Sequence, residues 1–83
     1  MKFLADIDIM PLKGLLDPQG KAVGYSLPSI GIHNVGDVRI GKHMTLEIEA
    51  ADEAEAKATA ETACRKLLAN LIMESFEIRV RSI

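Results

Sequence analysis

Apolar and polar positions alternate in residues 3 to 10, FLADIDIM: Phe3, Ala5, Ile7 and Ile9 share one face, Asp6 and Asp8 the other. That is the period of a half-buried strand. After a leucine-rich connection, PLKGLL, the period changes to helical. Asp17 is placed to cap free N–H groups, and Pro18 takes the first helical position, where a missing donor costs nothing. Ala22, Val23, Leu27 and Ile30 follow at helical spacing. Pro28 predicts a kink or an early end, with Gly31 at the exit. DVRI (37–40) and HMTLEIE (43–49) then alternate on either side of Gly41-Lys42, which predicts two strands joined by a two-residue hairpin. Val38 and Ile40 would face the core with Met44, Leu46 and Ile48. A second helix starts at DEAE, with Asp52 as cap and Glu55 reaching back in a capping box. Ala56, Ala60, Cys64, Leu67, Leu68 and Leu71 form its inward stripe, Glu61 and Arg65 pair outside, and Asn70 is placed to end it in the left-handed conformation. The last strand, SFEIRVR, turns Phe76, Ile78 and Val80 inward and Glu77, Arg79 and Arg81 outward.

Strand, helix, strand, strand, helix, strand, with right-handed crossovers, predicts an α+β fold: a ferredoxin-like βαββαβ plait, two helices on one face of a four-stranded antiparallel sheet. Residues 1–83 are read as one domain. The open face of that sheet would carry Asp6, Asp8, Glu47, Arg79 and Arg81 among others. Such mixed charge fits a wet face or a polar interface.

Composition narrows the function classes. Residues are 48% apolar, but only Phe3, Tyr25 and Phe76 are aromatic. So small a chain buries roughly 60 to 65% of its unfolded surface, and association is a usual remedy. A net charge of -2 argues against a nucleic-acid partner, which calls for a basic face. The lone cysteine, Cys64, forms no internal disulfide and fits a cytoplasmic setting. LLANLIM is too short to span a membrane, and no N-terminal segment has the signature of an export signal.

Candidate chemistry is sparse. GLLDPQGKAVG resembles a phosphate loop, yet Gly14 and Gly20 are separated by five residues instead of four, Lys21 is followed by Ala22, and Pro18 removes a donor. Helix capping is the better reading; a weaker role for the N–H groups of Gln19 and Gly20 toward an anion or a carboxylate stays open. Arg39 and Lys42 flank the glycine turn, either as a solvated tip or as contacts to acidic or phosphate groups. His33, His43 and Cys64 lie on different elements and make no closed metal set. Ser26 and Ser29 have no base partner and no nucleophile elbow. Leu12, Leu15 and Leu16 are either core or partner contact.

LDPQGKAV, DVRIGK, LEIEA and CRKLLAN, ending in ESFEI, together resemble the PurS family, subunits of phosphoribosylformylglycinamidine synthase. The likeness runs from Leu15 to Ile78 in order and spacing. It departs at Pro28, at Leu71 and at Ser75. The resemblance implies a non-catalytic adaptor in de novo purine biosynthesis, within a complex that converts formylglycinamide ribonucleotide, glutamine and ATP to formylglycinamidine ribonucleotide, glutamate, ADP and phosphate. It implies a homodimer or higher oligomer that assembles a glutaminase subunit, PurQ, with a synthetase subunit, PurL, and aids ammonia transfer. ATP and magnesium would belong to the large partner, with no cofactor, metal or catalytic residue in this chain. The interface role falls on Asp17, Gln19, Gly20 and Lys21, and on Arg39, Gly41 and Lys42. A small-ligand-binding regulatory plait domain is the other reading.

Overall fold

A computed structural model describes residues 1–83. Strand β1 (Lys2–Pro11) is the centre of an antiparallel sheet, with β2 (Lys42–Glu49) on one side and β3 (Glu74–Ser82) on the other. The alternation in β1 explains its central place. Ile7 stands opposite both Met44 and Ile78, so three apolar rows share one face. Helix α2 (Glu53–Ala63) covers that face. Ala5, Ile7, Ile9, Ala56, Ala60 and Cys64 are fully buried where it lands. Two alanines on the helix let its backbone come close, which suits the small core.

The start of α2 follows the sequence. Glu55 N–H donates to Asp52 at 2.8 Å, and the Glu55 carboxylate accepts from Ala51 N–H at 3.3 Å. Its end does not. Residues Cys64–Leu68 widen into a single π-helical turn, in which Ala69 N–H reaches back to Cys64 O at 2.9 Å. The extra residue shifts the phase of the stripe. Leu68 stays half-buried, while Leu67 and Leu71 turn out to solvent. Asn70 does not adopt the left-handed conformation expected of it. Its side chain instead accepts from Ile72 N–H at 3.2 Å, and its carbonyl accepts from the amides of Met73 and Glu74. It is a turn residue, in the manner of an Asx turn.

Two further expectations are corrected. The sheet has three strands, not four: Asp37–Ile40 joins no ladder, and Gly41-Lys42 is no hairpin, because Lys42 already begins β2 opposite Ile9. Nor do two helices share the sheet. Helix α1 (Pro18–Ser26) stands off it, packed against the 3₁₀ turn Leu27–Ile30 that follows and against Val38. Pro28 marks the change from α to 3₁₀ geometry, and Gly31 closes it at φ 85°. The α+β class stands, with an arm, residues 12–41, carrying α1 away from the sheet; the molecule measures 51 × 27 × 14 Å.

Candidate partner interface

One side chain fixes the start of α1. Asp17 caps it: Gly20 N–H donates to Asp17 Oδ1 at 2.9 Å. The second carboxylate oxygen accepts Ile40 N–H at 2.9 Å, across 23 residues of sequence. One side chain therefore satisfies the helix terminus and pins the extended segment beside it. These two backbone N–H groups, the Gly20 bond first, hold the Asp17 carboxyl below its usual range, aided by the charge of Arg39. The Asp17 carboxylate also occupies the place where an anion would lie, so Gly20 N–H is not free for one.

Gly20 is buried, and a Cβ there would collide with the Val38 carbonyl oxygen. Gly41 is held in the same way, against Ile9 O and the Met10 sulfur. Both glycines exist for close backbone approach. Arg39 turns inward: Nη2 donates to Pro11 O at 3.1 Å and to Leu12 O at 2.8 Å, while Nε lies 3.8 Å from Asp17 and has no hydrogen-bond partner. It clamps the leucine loop to the arm.

The seven expected residues thus divide. Asp17, Gln19, Gly41 and Lys42 come together around an open cleft of about 470 Å³. Lys21 and Arg39 border a second hollow beyond Asp17, and Gly20, buried, packs against Val38 and donates its N–H to the cap. Gln19, Lys21 and Lys42 are exposed; Lys42 reaches to 3.8 Å from Glu74 at the cleft edge. Sequence reasoning left Leu12, Leu15 and Leu16 between core and contact. Leu12 is half-buried, tied by its N–H to Met73 O at 2.8 Å, whereas Leu15 and Leu16 are exposed beside the cleft. It missed Met73 and Ile72, exposed on the adjoining turn, and the outward Val23, Tyr25, Ile30 and Val35 on the arm. A signal for the arm was present: between Pro18 and Gly36 only Lys21 carries a full charge.

On the open face of the sheet, Asp8 accepts from His43 Nδ1 and Arg79 Nη2, both at 2.6 Å. The His43 bond and then the Arg79 bond hold the Asp8 carboxyl low, and Asp8 in turn raises Arg79 above its ordinary value. No three His, Cys, Asp or Glu side chains converge on a metal-sized site. Cys64 ends α2 with its side chain buried against the sheet, where burial, and secondarily the charge of Glu61, push its thiol up.

Fold and site define a class: a small α+β chain, one helix on a three-stranded antiparallel sheet, whose motif glycines and charges hold an arm and leave apolar surface open. The family profile of PurS, described as phosphoribosylformylglycinamidine (FGAM) synthase, matches residues 4–82. The chain belongs to the PurS family. It is similar to the PurS subunit of phosphoribosylformylglycinamidine synthase from Synechocystis, 45% identical over 62 residues, which take in 75% of this chain and 62% of that relative. The same-named subunit of Bacillus subtilis is 41% identical over 71 residues, 86% of this chain and 83% of the relative. Among solved structures, a chain in PurLQS from Thermotoga maritima superposes with a TM-score of 0.89 at 30% identity, covering 98% of this chain and 99% of that one.

Proposed function

We propose that this chain is the adaptor subunit of its FGAM synthase, a homodimer that joins a glutaminase subunit, PurQ, to a synthetase subunit, PurL, and favours passage of ammonia between them. The complex would turn formylglycinamide ribonucleotide, glutamine and ATP into formylglycinamidine ribonucleotide, glutamate, ADP and phosphate. ATP and magnesium would sit in the large partner, and bond-making would be the partners' work. A cytosolic setting suits this role, and no helix here is long and apolar enough to cross a membrane. A fourth strand for the sheet comes, on this reading, from a second copy and not from Asp37–Ile40.

One observation carries the proposal. The residues that a catalytic reading would need are committed to the fold, with the cap at Asp17, the clamp at Arg39 and the tight approaches at Gly20 and Gly41. Beside them large apolar side chains face outward: Leu15, Leu16 and Met73 at the cleft, Tyr25 and Ile30 on the arm. Surface of that kind on so small a chain supports docking to other chains. Likeness to a chain of PurLQS over nearly its whole length supports the same partners.

The test is reconstitution. The purified chain, mixed with its PurQ and PurL, should give a stable complex by size exclusion and glutamine-dependent FGAM synthesis; omitting it should abolish the glutamine-dependent rate while leaving ammonia-dependent synthesis by PurL. Glutaminase or ATPase activity in this chain alone would overturn the adaptor assignment.

A further inference from the structure

The arm leaves β1 at Pro11 and returns to β2 at Lys42, and little joins it to the rest of the chain. Its own backbone is bonded locally: Gly31 N–H donates to Pro28 O and Ile32 N–H to Leu27 O, both at 3.1 Å. From residues 18–38 no hydrogen bond or ion pair runs to the sheet or to α2. Across the neck, between residues 11–17 and 38–41, no backbone N–H meets a backbone carbonyl. Every hydrogen bond there passes through one of two side chains. The Asp17 carboxylate accepts Ile40 N–H, and Arg39 Nη2 donates to Pro11 O and Leu12 O. Arg39 Nε stands 3.8 Å from the Asp17 carboxylate. The packing that closes the arm on itself is as slight: Val38 rests on Gly20 and Gly24, neither of which has a side chain.

We infer that Asp17 and Arg39 are a latch, and that residues 18–40 open as one unit when it is released, with the sheet and α2 still folded. The coupling lies in Asp17. Its Oδ1 caps α1 at Gly20 and its Oδ2 holds the returning segment at Ile40, so one release removes both. A helix of nine residues with neither a cap nor a core contact is marginal in water. The rest of the molecule loses no core in that step, because none of the buried apolar cluster lies in residues 12–41. Openings that uncover few apolar contacts are the ones a native protein makes most readily. Arginine suits the latch where lysine would not: its planar fork holds two carbonyls and keeps a fixed charge beside Asp17. The latch then decides whether Tyr25 and Ile30, exposed on the arm, stand in a fixed place for a docking chain. A partner that binds only the closed arm would draw the population toward it.

This inference adds a conformational step to the docking role and holds whichever chain the arm meets. Hydrogen exchange read by mass spectrometry, on the full chain over a urea series, tests it with Arg39→Met and Asp17→Ser. Serine keeps an oxygen for the cap at Gly20 but has no second one for Ile40, so it releases the neck without uncapping α1. In the wild-type chain, peptides from residues 18–36 should exchange through an opening with little urea dependence, while those from β1 and α2 wait for global unfolding. Each variant should speed exchange in the arm about tenfold or more, as expected when hydrogen bonds to a charged group are lost, and leave β1 and α2 unchanged. Sedimentation sets the comparison at equal assembly state, so that exchange reports the latch and not association. Arm peptides that share the urea dependence of β1 would overturn the separate unit. Variants that speed β1 and α2 as much as the arm would make Asp17 and Arg39 ordinary parts of the fold. Loss of protection confined to Ile40 would leave no unit to latch. A failed reconstitution with PurQ and PurL bears on docking alone and leaves each of these outcomes as it stands.

Discussion

The carboxylate of Asp17 receives two backbone amides that the chain supplies from opposite ends of the arm, Gly20 and Ile40. Both bonds favour the ionised form, so the folded carboxyl titrates below the unfolded one, as does that of Asp8. The sign is fixed by linkage: the stabilisation is complete above the unfolded value of about 3.9 and is lost as pH falls through the lower folded values. Protection of the Gly20 and Ile40 amides against hydrogen exchange, taken relative to the intrinsic rate at each pH, should hold from neutral pH to about pH 5, then fall as the solution is taken below about pH 4. In Asp17→Ala both amides should lose that protection at every pH. If only Gly20 responds, the link to Ile40 is not a feature of the molecule in solution. Cys64 offers a second check at this scale. Buried, with its thiol pushed up, it should resist a thiol reagent at neutral pH until the chain is unfolded. The cap was legible because Asp-Pro is a local signal; the bond to Ile40 was not, since nothing in a sequence marks a partner 23 residues away.

Among the elements, those read correctly are the ones whose period is answered by packing. Strands β1, β2 and β3 and the start of α2 follow alternation and the capping box within a residue or two. The strand expected at Asp37–Ile40 has the right alternation, but its chemistry goes elsewhere. The N–H of Ile40 donates to Asp17, the Arg39 side chain to Pro11 and Leu12, and Val38 O lies over Gly20. Local pattern cannot distinguish an extended segment pinned to a helix from one in a ladder. Helix α1 misled in a related way. Its glycines at 20 and 24 make a face for Val38 and leave Val23 and Tyr25 outward, so the apolar spacing was not a core stripe. The π turn at Cys64–Leu68 has no residue signature either. In α2 the small side chains do set the packing: Ala60 has no exposed surface against the sheet. Ala60→Leu should overpack this contact and cost about 1–3 kcal/mol. By thermal melting that is a fall of roughly 4–8 °C per kcal/mol. An unchanged melting temperature would mean that the helix stands farther from β1 than described.

At the scale of the whole molecule, shape and surface agree that one copy is incomplete. The radius of gyration is 16.4 Å, against about 12 Å for a compact chain of this length. Ten of 83 residues are buried, and the arm contributes only Gly20 to them. A core of that size leaves little margin against the entropy of ordering the remaining residues, so the stable species should be one in which a second copy covers part of the exposed apolar surface. Unfolding would then be coupled to dissociation, and stability would depend on concentration by mass action. For two 83-residue chains melting as a unit, each tenfold rise in protein concentration should raise the melting temperature by about 4 °C. Differential scanning calorimetry at three concentrations spanning two decades measures this directly. A chain that folds alone gives one temperature throughout, and the extended arm would then need no second copy to hold it.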